Sequence, residues 1–127
     1  MAGRRFSFEG LEVYVEARKL VKEIYSLQNK FPKEEKYALG DQIRRSATSI
    51  TSNIAEGSGR KSLKEKIHFV EIAFGSMTES FSQLQNAQDL GYIAESDVES
   101  LRPLFNTVAS HLSNLRSYFE KQLILNP

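Results

Sequence analysis

Glu65-Lys-Ile-His68 is the first place in this sequence where residue types and spacing point to chemistry. A Glu-x-x-His pair puts a carboxylate and an imidazole on one face of a helix. Two such pairs, with a glutamate from each of two further helices, hold the di-metal centre of many helical bundles. The second histidine is His111, and Val108 stands three residues before it, so half of that ligand set is missing. Cysteine is absent, which removes thiol nucleophiles, disulfides and Cys-based zinc sites. Two histidines on separate elements offer little for nucleophilic or acid–base work. The serines stand without a base and an orienting group. Gly57-Ser-Gly-Arg-Lys-Ser62 is superficially like a phosphate loop, but it lacks the Gly-x-x-x-x-Gly-Lys spacing and follows a helix, not a strand. These observations predict a protein that is not an enzyme and uses neither metal nor cofactor.

Basic residues carry a second kind of chemistry. Arg60, Lys61 and Lys64 flank the start of a predicted helix, whose free N–H groups favour an anion. A phosphate of RNA or DNA fits there; the alternative is a solvated basic turn with glycines present for backbone geometry. Arg44 and Arg45 are further candidates for phosphate contact, with Arg18, Lys19 and Lys22 as a second patch. No aromatics interleave with them, so base stacking and sequence readout are not expected. The net charge of +1 hides an asymmetry, since residues 1–66 hold 14 Lys and Arg against 9 Asp and Glu, while residues 67–127 hold 3 against 7. Such a split provides either a face for a polyanion or an attraction between the two halves, within a chain or between subunits.

The elements that must position these residues are helices. At 127 residues the chain makes one domain, residues 1–127, with a real core. No segment alternates apolar and polar residues as a half-buried strand does. Four stretches repeat apolar residues every three to four positions. The first, about 11–29, uses Val13, Ala17, Leu20, Ile24 and Leu27, and Phe31-Pro32 ends it. The second, about 33–56, opens at Pro32 and uses Leu39, Ile43, Ala47, Ile50 and Ile54, with Gly57 as its C-cap. The third, about 62–90, starts on the capping box Ser62-Leu-Lys-Glu65. It uses Leu63, Ile67, Val70, Phe74, Met77, Phe81 and Leu84, and Gly91 ends it. The fourth, about 96–123, starts on a second box, Ser96-Asp-Val-Glu99, and uses Val98, Leu101, Phe105, Val108, Leu112, Leu115 and Phe119. Pro103 predicts a mild kink in it and not a break. Short connections make neighbours antiparallel, so the sequence predicts an all-α, antiparallel, up-down-up-down four-helix bundle.

Residues 42–60 are unusual within that plan. The stretch keeps an apolar stripe yet fills other positions with small polar residues and arginines, so other helices can approach it closely. A hairpin of helices two and three centred near residue 59 sets facing numbers to sum to about 119–121. That register gathers Gln42, Arg45, Ser76 and Glu79 into a polar network, with Asn53 facing Lys66 and Ile67. Its expected yield is packing register; a buried charge without partners costs several kcal/mol. With no run of 18 apolar residues and no signal-peptide core at the start, the expected compartment is the cytoplasm.

Gln42-Ile-Arg-Arg, Ser49-Ile50, Asn53-Ile-Ala-Glu-Gly57, Gly59-Arg60, Phe69, Ala73, Gly75-Ser76, Glu79 and Leu90-Gly-Tyr92 together resemble a known pattern, as do Leu11-Glu-Val-Tyr14 and Phe31-Pro32. Over roughly residues 8 to 120 the chain resembles the bacterial proteins encoded by intervening sequences of 23S ribosomal RNA genes, also labelled S23 ribosomal proteins. Tyr14 departs from the tryptophan common there, and an aromatic anchor is retained. The resemblance implies a four-helix bundle that assembles into a ring-like pentamer. It also implies similarity to the accessory protein of diversity-generating retroelements, which binds a reverse transcriptase and nucleic acid through a basic surface. Phe6, Phe8, Phe31, Tyr37, Ile124 and Leu125 exceed what one bundle core requires, and surplus apolar surface marks an interface. A ring would repeat the basic residues on one face and multiply weak phosphate contacts. The expected function is therefore a homo-oligomeric accessory protein that contacts structured RNA. The alternative is a scaffold that docks a partner enzyme such as a reverse transcriptase without touching nucleic acid.

Overall fold

The computed structural model describes residues 5–126. The opening four residues, which belong to the segment without a signal-peptide core, and Pro127 lie outside them. A short 3-10 turn, Ser7–Gly10, leads into α1 (Glu12–Gln28), α2 (Leu39–Ser58), α3 (Leu63–Asp89) and α4 (Glu95–Leu125), with a second 3-10 turn at Lys33–Glu35. Each helix packs on its sequence neighbours and α4 closes onto α1, while the diagonal pairs keep their backbones apart among the described residues. This is the expected antiparallel four-helix bundle.

Most of the predicted stripes form the core. Val13, Ala17, Leu20, Ile24 and Leu27 of α1 are buried, as are Ile43, Ala47, Ile50 and Ile54 of α2 and Val98, Leu101, Phe105, Val108 and Leu112 of α4. The stripe of α3 is rotated from the expected one. Ala73, Ser80 and Ala87 join Val70, Met77 and Leu84 inside, while Phe74 is 37% exposed on the outer side of the helix. Across the α3–α4 seam Phe81 meets Phe105 edge to face, ring centroids 5.0 Å apart. Pro103 lies inside an uninterrupted α4.

Several element ends differ from expectation, each for a local reason. Helix α2 starts at Leu39 rather than at 33, because Pro32 opens only a 3-10 turn and the backbone breaks at Ala38 (φ −121°, ψ −110°). The break lets Gly40 come close under the preceding turn, where a Cβ would stand 2.8 Å from the Glu35 carbonyl oxygen. Gly57 is not the C-cap of α2. It is the buried penultimate residue of the helix, and Gly59 takes the cap position. At the first box the Ser62 hydroxyl accepts the Glu65 N–H at 3.3 Å, while the return bond from the Ser62 N–H to the Glu65 carboxylate is not made among the described residues, so only half of the expected box forms. The second box is displaced: α4 begins after Ala94, and Asp97, not Glu99, reaches back to accept the Ala94 N–H at 2.9 Å. Gly91, at φ +80°, closes α3 in a Schellman arrangement. Tyr92 N–H bonds to the Ala87 carbonyl and Gly91 N–H to the Gln88 carbonyl, both at 2.9 Å, and glycine enters this left-handed region without steric cost.

Surplus apolar residues divide. Phe31 is buried, capping the bundle end against Tyr92 with ring centroids 5.8 Å apart, so it belongs to the core. Phe8 is half-buried on Tyr14. Phe6, Tyr37, Ile124 and Leu125 are exposed by 70%, 85%, 79% and 77%, which leaves them as the surface available for contact with other molecules.

Candidate nucleic-acid interface

The α2–α3 turn is built around Arg60. Its guanidinium pairs with Glu56 one turn back on α2 and lies 4.9 Å from the centroid of the Phe69 ring on α3. Glu56 and Phe69 thus fasten Arg60 to both helices, which leaves its charge partly spent. Lys61 and Lys64 are exposed and make no ion pair among the described residues.

The other candidates do not join them. Arg44 folds back on the turn before α2 and donates to the Lys36 carbonyl at 2.7 Å, so it holds backbone. Arg45 is exposed and pairs with Asp41 at 3.1 Å. Arg45 lies thirteen residues before Ser58, the last residue of α2, about 20 Å along the axis from the turn at 1.5 Å per residue. On α1, Lys19 pairs with Glu16 at 3.1 Å, Arg18 lies 6.0 Å from the Tyr14 ring centroid, and Lys22 is exposed without an ion pair among the described residues. The first predicted patch thus divides between Arg44 and Arg45 on α2 and the turn, and Lys61 and Lys64 at the turn are the pair without ion-pair partners among the described residues.

The charge asymmetry also resolves by segment. Helix α1 balances Arg18, Lys19 and Lys22 with Glu12, Glu16 and Glu23, and α2 balances Arg44 and Arg45 with Asp41 and Glu56. The excess sits at residues 59–66, where Arg60, Lys61, Lys64 and Lys66 face only Glu65. At the opposite end of the bundle Asp89, Glu95, Asp97 and Glu99 gather around the α3–α4 connection. Lys30–Asp97, at 3.0 Å, is the only ion pair among the described residues that joins the basic half of the sequence to the acidic half. Ion pairing between halves within the chain therefore consumes little of the split.

A polar layer does cross α2 and α3, at a different register from the one expected. Facing numbers sum to about 126, as Ser46 with Ser80 and Gly57 with Phe69 illustrate. The Ser46 hydroxyl is 2.8 Å from both Ser80 Oγ and Gln83 Oε1. Ser76 donates to Ser49 Oγ at 2.8 Å, and Asn53 Nδ2 donates to the Ser49 carbonyl at 2.7 Å. Ser76 and Asn53 thus take part, but through Ser49. Arg45 pairs with Asp41 instead, and with Gln42 and Glu79 it lines an open groove of about 350 Å³ that reaches Ser46, Ser49 and Gln83 of the layer. The register differs because α2 runs two residues past its predicted end at Glu56, and the chain needs residues 59–62 to turn. Ser46, Ser80 and Gln83 were missed, although the signal was present: Ser46 lies three residues after Ile43 and four before Ile50, and Ser80 falls between Met77 and Leu84 on the same periodicity.

The residues with metal-ligand chemistry stay apart. Glu65 and His68 are on the outer surface of α3, while His111 is half-buried on α4 with its Nδ1 unpartnered. The described residues hold no group of three or more His, Cys, Asp or Glu side chains able to share an ion. Among the described residues no helix is long and apolar enough to cross a membrane.

Fold and site together define a helical-bundle protein whose outward chemistry is surface charge at one end. The chain belongs to the 23S rRNA-intervening sequence protein family, whose sequence profile matches residues 9–114. Among solved structures it is similar to a protein with unknown function from the S23 ribosomal protein family of Bacteroides thetaiotaomicron VPI-5482. That match has a TM-score of 0.74 and 25% sequence identity, and covers 82% of this chain and 97% of that one. A comparison with curated proteins found no match.

Proposed function

We propose that this protein is a non-enzymatic, homo-oligomeric accessory protein of the cytoplasm that holds structured RNA through phosphate contacts at the α2–α3 turn. The observation that carries the reading is the pair Lys61 and Lys64, exposed and without ion-pair partners beside an Arg60 fixed between two helices. Phosphate contacts of this kind are sequence-independent and weaken as salt rises. The exposed Phe6, Tyr37, Ile124 and Leu125 support self-assembly, for which we propose the cyclic pentamer that the family resemblance implies. Repetition of the turn around a ring raises avidity without any new contact.

The test is fluorescence anisotropy of the protein against an RNA hairpin at about 50 and about 200 mM salt. Micromolar or tighter binding that falls at least tenfold over that range is expected of a multi-phosphate surface. Lys61→Glu with Lys64→Glu should abolish it and leave the oligomer intact. No binding at the lower salt overturns the reading.

The second reading is a scaffold that docks a partner enzyme such as a reverse transcriptase, favoured by Tyr37, which stands 85% exposed on a turn away from the basic end. Loss of the oligomer in the charge-reversed protein, with no RNA binding by the parent, would support it.

A further inference from the structure

The end of the bundle where the chain enters α1 and leaves α4 contains a half-open cavity of about 260 Å³. Its wall is apolar, built mainly from Leu11, Ile54, Val70, Leu115 and Phe119. Lys66 is the single charged side chain that lines it. The Lys66 ammonium is half-buried, donates to the Ser58 carbonyl at 3.1 Å, and lies 5.9 Å from the centroid of the Phe119 ring. It makes no ion pair among the described residues, and no carboxylate lines the cavity.

An ammonium has three N–H donors, and one of these is used. A cation drawn partly out of water beside an apolar wall needs a counter-ion to offset its lost hydration. Tyr118, also in the lining, accepts from Gln122 Nε2 at 2.9 Å, which leaves its own O–H free to donate. One cation and one hydroxyl match a single negative charge better than a phosphate dianion, which recruits several cations. An apolar cavity of about 150 Å³ takes benzene, so this one has room for a ring with a substituent or a medium-length alkyl chain.

We propose that this cavity binds small monocarboxylates with an apolar tail, the carboxylate on Lys66 and the tail against Leu115 and Phe119. The site is independent of the α2–α3 turn residues Lys61 and Lys64, and it assigns the protein a small-molecule ligand class in addition to any polyanion.

The experiment is an amide-resolved NMR titration of the full chain with sodium octanoate, and in parallel with 1-octanol, which keeps the tail and lacks the charge. Octanoate should move the amides of Leu11, Ser58, Lys66, Leu115 and Phe119, and should bind at least about tenfold more tightly than octanol. Lys66→Met, which keeps the apolar stem, should remove that preference, and Lys66→Arg should retain it. Equal binding of the two ligands to the parent protein overturns the proposal, as do unmoved cavity amides at about 10 mM octanoate. Because the parent alone supplies that comparison, the proposal stays testable even if Lys66→Met fails to fold.

Discussion

Gly57 of α2 packs directly against Phe69 of α3: a Cβ on Gly57 would stand 2.7 Å from the Phe69 Cβ. No real pair of such atoms packs at that distance, so any larger residue here forces a shift between the helices. Gly57→Ala gains about 1 kcal/mol of helix propensity and must push the helices apart at a cost of about 1–3 kcal/mol. The expected net is destabilisation of about 1 kcal/mol. An unchanged or raised urea midpoint would contradict it.

Ser46→Ala removes the hydroxyl shared by Ser80 and Gln83 in a buried setting. Leaving their polar groups short of a partner should cost about 1–2 kcal/mol, despite the better helix propensity of alanine. Ser49→Ala, in a half-buried position, should cost less. Equilibrium denaturation of the two single variants checks the order.

Gly91 is held at φ +80° with open space around its Cα. Gly91→Ala therefore meets no neighbour, and its whole effect is the left-handed backbone, about 1–2 kcal/mol. Gly75, also open but helical, should respond in the opposite direction, with Gly75→Ala stabilising by up to about 1 kcal/mol. Thermal melts of the pair separate backbone conformation from packing.

Asp97 caps α4, and its carboxyl is held below the usual carboxylate range, first by the Ala94 N–H and then by Lys30. A carboxyl with a depressed folded pKa contributes stability that is complete above its unfolded value, near pH 4. That contribution is lost as pH falls through the lower folded value. Stability should therefore drop on acidification below about pH 4. Asp97→Asn should flatten this part of the profile, and Lys30→Met should flatten it less. Urea midpoints from about pH 6 to about pH 3 provide the check.

The four helices were legible because Val13 to Leu27, Ile43 to Ile54 and Val98 to Leu112 announce one face each by spacing alone. Short-range details were less legible. Gly57 looks like a cap because glycine commonly ends helices, and only the position of Phe69 across the hairpin shows why it sits inside one. The displaced start of α2 depends on a close approach between Gly40 and the Glu35 carbonyl, which leaves no periodic mark. An error of a few residues in the hairpin centre moved the expected polar partners from Ser46, Ser80 and Gln83 to Arg45 and Glu79. The basic residues could be named from sequence, but not which were already engaged: Arg44 with a carbonyl and Arg45 with Asp41 look the same in sequence as the unpaired Lys61 and Lys64.

The cations gathered at residues 59–66, Arg60, Lys61, Lys64 and Lys66 against Glu65, give one end of the bundle a local positive field. A polyanion is drawn toward it before any contact forms. Copies packed with helices parallel must crowd four basic residues per chain beside their equivalents, whereas antiparallel copies keep these turns apart. Added salt screens that repulsion. It should therefore tighten a parallel assembly and change an antiparallel one little, so the response reports how the chains are oriented.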